Sequence, residues 1–140
     1  WVLGEHGDHA VPLLDRVRID GRPVELTEAE AAEALDFLRG WYARHVALDS
    51  GRSSTWTTGL GIARTIEAIA HGSGELWPVS VVLEGEYGVD GVSLGVPVTL
   101  GPGGVARIHE WELDEDQRAA LLDAADAVRS AADRLDAAGL

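Results

Sequence analysis

The sequence contains no cysteine, no methionine and no lysine. Without cysteine the chain can form neither disulfides nor thiolate metal sites, and it has no cysteine nucleophile. All 11 basic residues are arginines, against 24 acidic residues, which gives a formal net charge of −13. Because this charge repels a phosphate backbone and an anionic membrane surface alike, we expect no nucleic-acid and no membrane partner. A cytoplasmic location fits the absence of cysteine and is the location that we expect.

Long hydrophobic runs are also missing. The stretch Val79–Leu83 is among the longest and is interrupted by Ser80, so we expect no segment that spans a bilayer. The N-terminus shows no secretion signal, and Trp1 is followed at once by a strand-like Val-Leu pair. We therefore expect Trp1 to lie inside a longer chain. The 140 residues are enough for one domain with a single core.

Local signals predict a strand end at the N-terminus, then a hairpin and a first helix. Asp20-Gly21 is the strongest two-residue turn signal, and it predicts a short hairpin over Val17–Leu26. Thr27 and Glu30 form a capping-box pattern that begins the helix. Its apolar residues recur at spacings of four, three and four, which is one helical stripe: Ala31, Leu35, Leu38 and Tyr42.

A second helix is predicted from about Thr55 to Ala70, and His71–Gly74 ends it. Its predicted inner side consists of Leu60, Ala63, Ile66 and either Ile69 or Ala70. Three strands follow, over Trp77–Glu84, Val92–Leu100 and Val105–Trp111, with a glycine-rich hairpin between the last two. A closing helix begins at Asp114 and Gln117 and runs to about Asp136, with the apolar positions Leu121, Ala125, Val128, Ala132 and Leu135.

This element order does not alternate strands with crossover helices, so a doubly wound parallel sheet is not expected. We predict an α+β fold in which a twisted antiparallel sheet packs with helices, including a long C-terminal helix. Residues 1–140 are expected to form one domain without a Rossmann unit.

The segment Gly4-Glu5-His6-Gly7-Asp8-His9 contains the clearest candidate for a catalytic residue. Its glycines allow a tight corner from which His6 projects, and imidazole can give or take a proton near neutral pH. Two alternatives stay open from the residues alone. His6 can be an ordinary surface or hydrogen-bonding histidine, or His6, Asp8 and His9 can be metal ligands. The remaining histidines, His45, His71 and His109, are predicted to be surface residues.

Five segments in the same order resemble the L-lactate/malate dehydrogenase family, specifically its C-terminal, substrate-side domain. The first is Leu3–Asp8 followed by Val11-Pro12, which resembles the active-site signature. The others are Gly59–Ile69, Val79–Gly88, Leu94–Val105 and Glu110–Leu113. The resemblance covers essentially the whole chain.

The resemblance implies roles for three residues. His6 matches the catalytic acid/base that exchanges a proton with a 2-oxo or 2-hydroxy acid while NAD exchanges the hydride. Ser54 matches a hydroxyl that lines the substrate pocket, and Thr58 matches a position near the nicotinamide. Arg52 stands where the family has glycine, so a shift of one residue would make Ser53 the pocket residue. Helix capping is an alternative role for Ser53, Ser54 and Thr55.

The family's Gly-rich nucleotide loop, its His-orienting Asp and its two substrate-binding Arg residues have no counterpart in this sequence. We therefore expect the chain to act only with an N-terminal nucleotide-binding domain, as a homo-oligomer (dimer or tetramer), and to be inactive by itself. The acidic composition is similar to that of halophilic malate dehydrogenase-like members of the family, and this resemblance favours malate over lactate as substrate. The alternative from another functional class is a non-enzymatic oligomerisation module derived from the same domain.

Overall fold

The computed structural model describes residues 1–51 and 55–139. The main sheet contains five strands, in the order β2-β1-β6-β5, with β7 paired to β6. The strands are β1 (Val2–Gly4), β2 (Ala10–Pro12), β5 (Leu76–Glu84), β6 (Asp90–Gly101) and β7 (Gly104–Ile108). A separate two-stranded hairpin consists of β3 (Arg18–Ile19) and β4 (Arg22–Pro23). The helices are α1 (Glu28–Ala47), α2 (Thr55–His71) and α3 (Glu115–Ala137).

Strand β6 is the centre of the sheet. It pairs with β5 over most of its length, from Leu76↔Thr99 to Glu84↔Asp90. Its other edge pairs first with β1, at Gly4↔Gly95, and then with β7. Every pairing between the described strands is antiparallel. The predicted α+β class with an antiparallel sheet and a long C-terminal helix is therefore confirmed.

The core lies on one face of β6 and is closed by α3 and part of α2. Alternate residues of β6 point into it because a strand has a side-chain period of two. The buried members from β6 are Val92, Leu94, Val96, Val98 and Leu100. Helix α3 contributes Leu121, Ala124 and Ala125, and α2 contributes Ala68. Leu3, Val11 and Leu13 fill the end of the core next to the β1–β2 loop.

The capping signals and the tight turn are where the sequence predicts them. Thr27 accepts from the backbone N–H of Glu30, whose carboxylate accepts from the backbone of Thr27 in return. Asp114 and Gln117 form the same box at the start of α3. Asp20 and Gly21 both have positive φ, at 50° and 75°, which is the backbone that a two-residue hairpin requires.

The predicted inner side of α2 is wrong at three of its positions. Leu60 and Ile66 are 56% and 60% exposed, and Ala63 is exposed too. The side that packs against the core instead contains Ala68, with Ile69 partly buried against the same cluster. The alternative inner position Ala70 is exposed. Both sides of α2 carry apolar residues at helical spacing, so periodicity alone does not distinguish them.

Helix α1 buries none of its residues. Ala31, Leu35 and Leu38 of its predicted stripe are half-buried, whereas Tyr42 is 64% exposed. Large apolar side chains elsewhere on the helix are exposed as well, including Phe37, Trp41 and Val46. No helix within residues 1–51 and 55–139 is both long enough and apolar enough to span a membrane.

Candidate active site

The β1–β2 loop, residues Glu5–His9, carries the predicted catalytic histidine. Antiparallel pairing of Gly4 with Ala10 closes the loop at its base. Gly4 has φ +86°, and a Cβ there would lie 2.9 Å from the carbonyl oxygen of His9 and 3.3 Å from the Cβ of Ala124. Because such a Cβ does not fit, glycine is needed to bring this loop close to α3.

His6 lies at the exposed tip of this loop. Within the described part of the chain its imidazole makes no hydrogen bond and no ion pair, unlike His9, whose Nδ1 lies 2.8 Å from Glu5 Oε2. An imidazole without an internal partner is available to exchange a proton with a bound molecule. His6 and His9 therefore differ in the structure: His9 is paired with Glu5, and His6 is not.

A cleft of about 760 Å³ lies between this loop and helix α1. This volume is in the range of small-molecule sites, about 300–1,000 Å³. The loop lines it with Glu5, His6, Gly7 and Asp8, and α1 lines it with Leu35, Leu38, Arg39, Trp41 and Tyr42. Leu35, Leu38 and Tyr42 of the apolar stripe thus line the same cleft as His6, and Arg39 is the arginine among the described lining residues.

Of the other two predicted site residues, the structure describes only Thr58. Thr58 is exposed in the first turns of α2 and does not line the cleft. Ser54, and Ser53 as its alternative, lie outside the described residues. Arg39 and Tyr42 were not predicted as site residues, because nothing in their local sequence shows that α1 folds back towards residue 6.

In the described part of the chain, His6, Asp8 and His9 do not form a metal site. The described residues contain no group of three or more His, Cys, Asp or Glu side chains that could hold a metal ion. His9 is instead paired with Glu5. The second cavity, about 410 Å³ at the end of α2, is lined by residues such as Arg64, His71 and Trp77 and contains none of the predicted site residues.

Comparison with known proteins gives a consistent result. Residues 1–137 match the family described as lactate/malate dehydrogenase, alpha/beta C-terminal domain. The chain belongs to the lactate/malate dehydrogenase family. This chain is 41% identical to the malate dehydrogenase of Halobacterium salinarum over 134 residues, which is 96% of this chain and 43% of the relative.

Solved structures agree with the same assignment. The malate dehydrogenase of Salinibacter ruber matches with a TM-score of 0.89 and 35% identity, over 99% of this chain and 47% of that one. A minor L-lactate dehydrogenase from Enterococcus mundtii matches with a TM-score of 0.83 and 25% identity, over 96% and 45%. This chain thus spans less than half the length of these relatives, and the resemblance seen in the sequence is confirmed.

Proposed function

We propose that this domain is the substrate-side part of an NAD-dependent dehydrogenase that interconverts a 2-hydroxy acid and a 2-oxo acid. The substrate pair is malate and oxaloacetate or lactate and pyruvate, and the sequence relatives named malate dehydrogenase favour the first pair. The observation that carries the proposal is the position of His6, unpaired within the described chain and lining a cleft of ligand size.

His6 is the proton donor and acceptor in this proposal. As imidazolium it donates a ring N–H to the ketone oxygen of the 2-oxo acid and transfers that proton as the carbonyl carbon is reduced. In the opposite direction the neutral ring accepts the hydroxyl proton of the 2-hydroxy acid. NAD, when bound, supplies or accepts the hydride.

A nucleotide-binding domain is required in addition to this one. The described strands pair only antiparallel, so within residues 1–51 and 55–139 there is no parallel β-α-β unit of the kind that binds dinucleotides. We assign Ser54 to the substrate pocket and Thr58 to the nicotinamide side on the family resemblance. The exposed position of Thr58 on α2 is compatible with contact from a second domain.

The second candidate is a non-enzymatic assembly module. The exposed apolar side chains of α1 and α2 favour it, among them Phe37, Val46 and Ile66, each more than half exposed. Exposed apolar side chains of this kind favour an interaction surface. The same surfaces are also expected in an active homo-oligomer, so catalysis and assembly must be measured separately.

The deciding experiment is the substitution His6→Asn in the complete protein, with NADH oxidation followed in the presence of oxaloacetate and, in parallel, pyruvate. Loss of general acid–base catalysis should lower kcat by about 10²–10⁴-fold, while the oligomeric state in analytical ultracentrifugation is unchanged. His71→Asn, an exposed histidine at the end of α2, is the matched control and should keep full activity. Turnover that survives His6→Asn would contradict the proposed role and favour the assembly module.

A further inference from the structure

A carboxylate–imidazole pair spans the loop that carries His6. Glu5 Oε2 lies 2.8 Å from His9 Nδ1 and also accepts the backbone N–H of His9 at 3.4 Å. We propose that this pair, the Glu5–His9 clasp, is a positioning device that holds His6 in its catalytic orientation. The inference rests on the proposed function of His6 and adds two residues to which the family resemblance assigns no role.

The clasp connects the two ends of the loop. Glu5 is the first loop residue after β1 and His9 is the last before β2, so their contact closes the loop above the Gly4↔Ala10 strand pair. A further backbone bond, from Ala10 N–H to the Gly7 carbonyl at 3.2 Å, lies on the far side of His6. The backbone of His6 is thus held on both sides by contacts within its own loop.

The Glu5 carboxylate lies next to Gly7. A Cβ at residue 7 would lie 2.8 Å from Glu5 Oε1, so the absence of a side chain there leaves room for the carboxylate in this position.

The clasp is expected to act on orientation rather than on overall stability. Its side chains are 36% (Glu5) and 47% (His9) exposed, and exposed ion pairs contribute about 0–1 kcal/mol to folding. Catalysis is more sensitive, because a displacement of about 1 Å of a reacting group can cost about 10²-fold in rate. His6 has no side-chain partner in the described chain, so within this domain the order of its loop determines where the backbone of His6 lies.

The test uses Glu5→Ala, His9→Ala and the double variant in the complete protein, with Glu33→Ala as the control, since Glu33 is an exposed carboxylate on α1. We expect each single substitution to lower kcat by about 10–100-fold and to change the KM for the 2-oxo acid by less than about threefold.

Because the two residues act as one unit, kcat of the double variant should fall no further than kcat of either single variant. Glu5→Gln keeps an acceptor of the same shape and should recover part of the loss. Amide hydrogen exchange of the Gly4–Pro12 peptide should be faster in the clasp variants than in Glu33→Ala.

Wild-type kcat in Glu5→Ala, or losses that simply add in the double variant, would overturn the proposal. Faster exchange of the loop with unchanged kcat would overturn it too, because loop order would then not matter to catalysis. The activity of His6→Asn shows whether only the clasp proposal fails or the proposed function fails as well. If His6→Asn is inactive while Glu5→Ala is fully active, only the clasp is wrong. If His6→Asn remains active, the proposed function fails and the clasp with it.

Discussion

The hydroxyl of Tyr87 donates a hydrogen bond to the backbone carbonyl of His109 at 2.8 Å. The same hydroxyl accepts the backbone N–H of Trp111 at 3.0 Å, and the backbone N–H of Tyr87 donates to Glu110 Oε2 at 2.7 Å. Tyr87 is buried and has φ 57°, a left-handed backbone that a bulky residue rarely adopts. This group of contacts fixes the turn after β5 to the segment between β7 and α3.

Substitution of this phenol should destabilise the fold. Tyr87→Phe removes the hydroxyl that pairs with two part-buried backbone groups, so we expect the free energy of unfolding to fall by about 1–3 kcal/mol. The measurement is equilibrium unfolding in urea. Tyr42→Phe is the matched control, because Tyr42 is 64% exposed and should change stability by less than about 0.5 kcal/mol. Equal effects of the two substitutions would show that the Tyr87 contacts contribute nothing.

The same residue predicts a loss of stability in alkali. Burial raises the pKa of Tyr87 above its ordinary value of 10.0, against the hydrogen bond with Trp111, which lowers it. Above pH 10 the unfolded chain therefore loses this proton more readily than the folded chain does. The free energy of unfolding should fall as the pH rises through that range, because the folded state then binds more protons. Urea titrations between about pH 8 and 11 should show a shallower decline for Tyr87→Phe than for the wild type.

The two capping boxes should differ in their effect on global stability. Asp114 caps α3, which contributes Leu121 and two alanines to the core, so Asp114→Ala should lower the free energy of unfolding by about 1 kcal/mol. Thr27 caps α1, which buries no residue. Thr27→Ala should instead speed amide exchange within α1 and change the free energy of global unfolding by less than about 0.5 kcal/mol. A global loss of equal size in both variants would mean that α1 is part of the cooperative core.

Gly4 should be required for activity as well as for folding. Gly4→Ala places a methyl group 2.9 Å from the carbonyl oxygen of His9, which must displace the His6 loop. Gly21→Ala is a matched control, since Gly21 has a similar φ of +75° but no atom within 4 Å of the added Cβ. Both substitutions should lower the free energy of unfolding by about 1–2 kcal/mol, because alanine is disfavoured in the left-handed backbone conformation. Only Gly4→Ala should also lower kcat. Full activity of folded Gly4→Ala would contradict the placement of the site.

Arg39 should assist binding of an anionic substrate. Among the described residues it is the arginine that lines the His6 cleft, and a 2-oxo acid carries at least one negative charge. Arg39→Gln in the complete protein should raise the KM for oxaloacetate by about 2–10-fold at low ionic strength, with little change in kcat. The difference should shrink as salt screens the charge. An effect of the same size at high and low salt would mean that Arg39 does not act through its charge.

Signals confined to a few neighbouring residues were sufficient for prediction from sequence. The Asp20-Gly21 turn and both capping boxes depend on residues at most three positions apart, so their geometry is a local property. The strands β5 and β6 and the closing helix were likewise predicted from composition and period. Strand β2 was not predicted, because three residues, Ala10–Pro12, are too few to show a period.

Features that depend on distant partners were decided only by the tertiary structure. His109 was predicted to be a surface residue, yet it is half-buried and its Nε2 lies 2.7 Å from Thr99 Oγ1. The buried side of α2 depends on which of two apolar sides meets β6, and the period is the same for both. The candidate site is the strongest case. Sequence by itself determined that His6 stands between glycines in a loop after a strand, because that is a matter of adjacent residues. That α1 lies across the cleft from His6 was decided by folding, because the contact joins residues some thirty positions apart.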